Sequence, residues 1–403
     1  MGIKNMVNGF LQTTIRYGGS KYLLVNIWML ASMIYYGHTY FENSAITKYA
    51  QFFIDIIGVY AMFQCMQILN TFDKYTRKLI VALFWFITLV TIYVIISPSV
   101  HVSTVSSEFH GNIQATILYK VEMVCLISFF PAVYFAKRNL LHDNHMKVLF
   151  IIAWLLSVLS YFSFMRYLQE LNDAKIVINN ISYIVLSASA LIFFAPKPMA
   201  YMYISATLIL ILLSAKRSAL IGFTIMAIIY VYFAFKDSSD KRLLYRIFPI
   251  LLIGGGLYFI LANNNDAVFA MWNRWEADGT TLSERDKIWY GIMNRYFDGN
   301  IFSLIWGLGY NASLATVGAF AHNDWIEILS SMGVVGFFIY SLIYLIPIAR
   351  LRRIKFDTIY KKTIVICLAQ LFIHSLSSRA IFFSEYAIFF IAIGYSMEKL
   401  SKS

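Results

Sequence analysis

Residues 201–236, YMYISATLILILLSAKRSALIGFTIMAIIYVYFAFK, contain two apolar runs separated only by a short turn that carries Lys216 and Arg217. Each run approaches the length needed to cross a bilayer's hydrocarbon core, about 17 to 25 residues. A minimal turn between two apolar helices is a costly place for charge that has no partner. The stretch therefore reads as a pair of neighbouring membrane spans with a cationic tip, and Lys216 and Arg217 become candidates for contact with an anion.

Similar apolar runs recur along all 403 residues, of which 60% are hydrophobic, 17% aromatic and only 13% charged. A mean hydropathy of +0.66 is outside the range of soluble domains. Twelve spans can be drawn, at about 22–37, 49–69, 79–97, 116–136, 148–165, 181–196, 199–215, 218–235, 247–262, 325–347, 363–378 and 380–396. The expected fold is all-α: a polytopic integral membrane protein of about 12 transmembrane helices. The first run lacks a small-residue cleavage site and reads as a retained helix.

Lys and Arg are kept on the cytoplasmic side of short loops. With the amino terminus inside, the basic residues near Lys74, Lys137, Lys197, Lys241, Arg352 and Lys399 all fall in cytoplasmic segments, and so do both termini. The net charge of +12 then belongs to loops that face anionic headgroups, and no nucleic-acid partner is needed. Cys65, Cys125 and Cys367 lie within spans, without metal-ligand spacing, and read as small core residues.

The chain divides into helices over 1–262, a long external loop at 263–322, and further helices over 323–403. Segments 98–115 and 166–180 are shorter external polar loops. At about 60 residues the 263–322 loop exceeds the lengths usual in compact proteins, and such loops are commonly functional. It carries Trp272, Trp275, Trp289 and Trp306, and the spacing of Ile288, Trp289, Ile292 and Met293 predicts a short amphipathic helix. Ser283, Glu284 and Asp286 suit its positive first turn. The loop reads as a cap over an outward-facing cavity. Its tryptophans fit a membrane interface or sugar stacking, and the sequence does not choose between them.

Arg217, Arg274, Arg285, Arg295 and Arg379 are external guanidinium groups able to fork onto phosphate. The three loop arginines also stand beside Glu276, Glu284, Asp286 and Asp298, which would serve as simple salt-bridge partners. His322 precedes Asn323 and Asp324. An imidazole titrating at about 6.5 is a natural proton acceptor, yet the same tripeptide is a good helix start, with Asn323 or Asp324 capping the first amides of the helix. Glu327, Asp55, Lys120, Glu122, His374 and Glu385 are ionisable groups within spans, which tend to face a cavity or one another. Glu327, five residues after His322, is near enough to the external surface to belong to the same site or simply to face interfacial water.

His322-Asn323, nine residues, then Gly333-Val334-Val335-Gly336 resembles the HN-x9-GxxG signature of the O-antigen polymerase and ligase superfamily. The LLSAKRSALIGF segment around Arg217 is similar to that group's arginine-bearing periplasmic turn, and the 263–322 loop to its large periplasmic loop. The resemblance covers residues 175–345, with hydropathy alone matching before them. It implies a GT-C-like membrane glycosyltransferase that uses no metal or other cofactor and takes an undecaprenyl-diphosphate-linked glycan as donor. By position, Arg217 and Arg285, with Arg274 second, would bind the diphosphate, and His322 would activate the acceptor. Lys216, Arg295, Asn323, Glu327 and Arg379 are further candidate substrate contacts.

The SAKRSA turn and the HNDWIEILSSMGVVGFFIY segment look more like surface-polysaccharide polymerases than ligases, which transfer the glycan to lipid A core. The expectation is therefore an O-antigen or surface-polysaccharide polymerase at the periplasmic face of a bacterial inner membrane, with the lipid bilayer and a chain-length regulator as candidate partners. The R-x15-G repeats of some polymerases are missing. A secondary transporter or lipid-linked glycan flippase is the competing class, and the Gly254-Gly255-Gly256 run could break a span. Cysteine labelling of intact cells should find Gly279→Cys accessible from outside and Lys241→Cys only from inside, and the reverse pattern would overturn the topology.

Overall fold

A computed structural model describes residues 20–36, 45–97, 99–102, 111–114, 119, 123–172, 182–214, 216–237, 285–377 and 386–402. Its first half comprises α1 (Ser20–Tyr36), α2 (Ala45–Gln67), α3 (Lys74–Ile96), α4 (Phe129–Lys137) and α5 (Asp143–Asn172). Next come α6 (Ser182–Ser187), which continues as a 3-10 stretch over Ala188–Phe194, then α7 (Lys197–Leu213) and α8 (Arg217–Asp237). The second half holds α9 (Arg285–Phe297), α10 (Ile301–Trp306), α11 (Ala312–Val317), α12 (Asp324–Leu351), α13 (Ile359–Ser377) and α14 (Ala387–Lys399).

Among the described residues helices lie in each of the drawn spans other than 247–262, which is outside them, and spans 116–136 and 380–396 are described only in part. Six of them are long and apolar enough to cross a membrane, while those at Tyr22–Tyr36, Met123–Lys137, Ser182–Phe194 and Lys197–Leu213 are shorter. Many large apolar side chains on these helices face outward, among them Phe52, Phe63, Ile221 and Ile228. Water-exposed surfaces of soluble proteins rarely carry such patches, and the chain is a helical membrane protein.

Segment 98–115, expected as a plain polar loop, contains two short strands. β1 (Ser99–Val102) pairs antiparallel with β2 (Gly111–Gln114), Ser99 opposite Gln114 and Val102 opposite Gly111. This ribbon touches α11.

The loops expected to be cytoplasmic gather at one end of the bundle, tied by ion pairs and hydrogen bonds. Lys236 and Lys361 both reach Asp357, at 2.5 and 2.8 Å, and Lys362 pairs with Asp237. Lys137 donates to Thr71 O at 2.5 Å, and Tyr395 donates to Asp143 at 2.6 Å. The Lys216 turn, at the other end of α7 and α8, therefore lies at the opposite end of the bundle.

One clamp joins two of the longest helices at this end. Asp73 caps α3, accepting from the Tyr75 and Thr76 amides at 2.9 and 3.4 Å, and also receives Arg350 Nη1 from α12 at 2.7 Å. Burial on its own pushes the Asp73 carboxyl up, but the Thr76 hydroxyl, the Arg350 guanidinium and the Tyr75 amide outweigh it. The group is held below the usual carboxylate range.

A carboxyl depressed in the folded state adds stability above its unfolded pKa, and that contribution disappears as pH falls through the folded value. Asp73→Asn should lower the thermal unfolding midpoint in detergent at neutral pH by the equivalent of about 1–3 kcal/mol. It should also flatten the loss of stability on acidification. An unchanged acid profile in the variant would show that the clamp contributes nothing.

Candidate active site

Asn323 opens α12 by accepting from the amides of Trp325 and Ile326 at 3.0 and 3.2 Å. The capping role left open by the sequence is therefore filled by Asn323 and not Asp324. Beyond this cap α12 is not a straight span. The Trp325 ring lies 5.5 Å from Phe337, 5.0 Å from Tyr340 and 5.3 Å from Tyr344. In a continuous helix, residues 15 apart are separated by about 22 Å along the axis.

The chain must therefore reverse between them, and Gly333, with φ +63° and ψ −164°, is the residue that leaves helical geometry. Tyr340 completes the closure by donating to Asp324 at 3.1 Å. Two antiparallel arms result, 324–332 and 334–351. The second arm alone has the length to cross the core, which corrects the reading of 325–347 as one span. The nine residues between Asn323 and Gly333 are the whole of the first arm, so the motif's spacing is an arm length.

The reversal frees backbone carbonyls, and a neighbouring segment binds them. Leu308 N donates to Ser330 O at 2.7 Å, and Gly309 N donates to Ser331 O at 3.1 Å. No side chain fits between these backbones: a Cβ on Gly333 would sit 2.3 Å from Ile305 O, and one on Gly307 2.3 Å from Ser331 O. The WGLG stretch and the GxxG of the motif thus form one interlocked element.

Glu327, on the first arm, is buried. Its oxygens accept from Ser313 Oγ at 2.5 Å, Ser331 Oγ at 3.1 Å and the Ala321 amide at 3.4 Å. It joins α11, the His322 loop and the apex of the hairpin. This is a scaffolding position and does not face interfacial water.

His322 is fixed on both sides. Ala321 O accepts Trp289 Nε1 at 2.6 Å, and Asn323 caps the helix. Between them His322 adopts φ +49°, the left-handed region that non-glycine residues enter at a cost of roughly 1–2 kcal/mol. Its side chain is exposed, whereas those of Asn323 and Asp324 are buried.

The carboxyl end of α13 draws the other candidates in. Three consecutive residues there receive donors from three different positions: Ser375 Oγ from Trp325 Nε1 at 2.9 Å, Leu376 O from Asn323 Nδ2 at 3.3 Å, and Ser377 O from Arg285 at 2.8 Å. Terminal helix carbonyls lack intrahelical partners and carry partial negative charge, which suits a guanidinium. One turn back, His374 packs its ring against Tyr183 at 5.0 Å. Tyr183 hydrogen-bonds Ser218, lies under the Lys216 ammonium at 5.6 Å, and is within reach of the Arg285 charge.

The structure thus assembles Lys216, Arg285 and the His322-Asn323 pair around one helix end. Arg295 closes α9, ten residues and about 15 Å from Arg285, and is not part of the cluster. The backbone of Arg217 opens α8; its side chain lies outside the described residues, as do Arg274 and Arg379. Trp289, Trp325, Tyr183 and Ser377 hold the cluster together, and of these the sequence singled out only Trp289. Among the described residues no group of three His, Cys, Asp or Glu side chains is placed to hold a metal. No family model matches the chain, and no curated protein matches its sequence.

A cysteine pair at Trp325 and Tyr340 should be bridged by a bifunctional thiol reagent far shorter than the ~22 Å of a straight helix. Failure to bridge, with both thiols reactive singly, would restore the continuous span.

Proposed function

We propose that this chain is a polysaccharide polymerase, joining polyprenyl-diphosphate-linked repeat units at the periplasmic face of a bacterial inner membrane. The observation that supports it most is the convergence of Arg285, Lys216 and His322-Asn323 at the carboxyl end of α13. That end lies opposite the loops richest in Lys and Arg. It is where the cation-directed topology puts the outside.

In this reading Arg285 and Lys216, with Arg217 on the adjoining turn, receive the donor's diphosphate. The acceptor hydroxyl oxygen attacks the anomeric carbon while the bond from that carbon to the diphosphate oxygen breaks, and the electron pair leaves with the diphosphate. Charge on the leaving group grows along this path, so pre-placed guanidinium favours the transition state over the ground state. His322 accepts the hydroxyl proton as the new bond forms. Its exposed ring between two fixed neighbours is suited to meeting an incoming acceptor.

A ligase would use the same donor half-site and differ in the acceptor. A secondary transporter is the reading favoured by the re-entrant arm at Gly333, since broken helices commonly build transport sites. Purified enzyme supplied with lipid-linked repeats distinguishes the three: longer lipid-linked chains mark the polymerase, transfer only to lipid A core marks the ligase, and movement without new bonds marks the transporter.

Arg285→Ala should reduce chain extension about 10²-fold or more, and Arg285→Lys should restore little, because an ammonium cannot form the paired contact. His322→Gln should cut turnover by about 10²–10⁴-fold with donor binding intact. Full extension by folded Arg285→Ala protein would remove the diphosphate assignment, and full extension by His322→Gln would remove the base.

A further inference from the structure

The segment between α9 and the apex of the α12 hairpin has an outer surface that the proposed chemistry does not use. On α10, Ile301 and Phe302 are 74% and 67% exposed, and one turn later Ile305 and Trp306 are exposed as well. Positions i, i+1, i+4 and i+5 share one face of a helix, so four large apolar groups point the same way from a six-residue helix.

Where α10 is attached fixes its level relative to the spans. Tyr93, in the last turn of α3, hydrogen-bonds Trp306 O. Gly307 touches the backbone at Ser331, and Gly333 touches Ile305. Both partners are membrane-crossing elements that present bare apolar side chains beside the attachment: Ile95 and Ile96 on α3, at 73% and 72% exposure, and Val334 and Phe338 on the second arm of α12. The second arm runs from the apex to Arg350, seventeen residues or about 25 Å, nearly the full ~30 Å of a hydrocarbon core. The apex, and α10 bound to it, therefore sits at the boundary between acyl chains and headgroups.

We infer that α10 is seated in the lipid bilayer: its Ile301, Phe302, Ile305 and Trp306 face lies among the acyl chains and headgroups of the leaflet at the Ile96 end, continuing the lipid-facing surface of α3 and α12. Part of the segment read as an external loop is thus a monotopic membrane anchor, with Trp306 at the depth favoured by interfacial tryptophan. The exposed charged residues of α9, Asp286, Lys287 and Arg295, stay in water. The inference rests on the membrane reading of the fold and not on the proposed glycosyl transfer.

The test uses full-length protein in phosphatidylcholine vesicles, with an environment-sensitive fluorophore on a cysteine at Phe302, Ile305, Asp286 or Arg295. The three native cysteines are buried, and the unsubstituted chain serves as the labelling blank. Labels at 302 and 305 should emit to the blue of those at 286 and 295. Spin-labelled lipid should quench them several-fold more strongly, and aqueous iodide several-fold less. Equal access of iodide to 302 and 295 would overturn the inference by placing α10 in water. Shielding of 302 from iodide and spin-labelled lipid alike would overturn it in favour of contact with a second copy. If Phe302→Cys does not fold, Ile301→Cys reports on the same face, and enzymatic activity enters none of these readings.

Discussion

Two backbones meet at Gly307 and Gly333 with no room for a Cβ on either, and the rest of the candidate site is built outward from that contact. Within a membrane every backbone amide and carbonyl needs an internal partner. A helix that reverses direction gives up such partners. Here Leu308 and Gly309 supply the amides for Ser330 and Ser331, so the reversal is tolerated only because the WGLG stretch lies against it. Remove either glycine and the amides cannot approach; remove the amides and the apex leaves bare carbonyls.

The hairpin determines where the chemistry can occur. A straight helix from Asp324 would raise His322 above the bundle. The folded arm brings Trp325 level with Tyr340, seven residues below the apex, and with it the His322-Asn323 pair. Glu327 then ties the loop before the arm to α11, and the carboxyl end of α13 accepts Asn323 and Arg285 on adjacent carbonyls. A left-handed His322 is tolerable because both flanking residues are held by bonds that do not involve its ring.

Much of this was legible in the chain. The apolar runs marked the helices, the paired Lys216 and Arg217 marked a tight turn, and the spacing from Ile288 to Met293 marked α9. The HN-x9-GxxG spacing singled out the two ends of the first arm without disclosing that it folds back. The periodicity of DWIEILSSMGVVGFFIY is satisfied equally by a straight helix and by two arms, and the difference resides in one glycine's φ. Likewise no local pattern in LFIHSLSS announces that Ser375, Leu376 and Ser377 will each receive a donor from afar. Such contacts belong to tertiary geometry, where residues nearly a hundred positions apart, such as Arg285 and Ser377, become neighbours.

The three acceptors at the end of α13 also impose an order in time. Ribosomes extend a chain at about 5–20 residues per second, amino-terminal segments first. Arg285, Asn323 and Trp325 are therefore made seconds before the residues that hold them. Until α13 enters the bilayer their donors have no helix end to bind, and the arginine and histidine of the site have no common frame. The pocket is thus a late product of biogenesis, assembled when one of the last helices docks, and a nascent chain stalled before Ser375 would carry every proposed catalytic side chain in an unformed site.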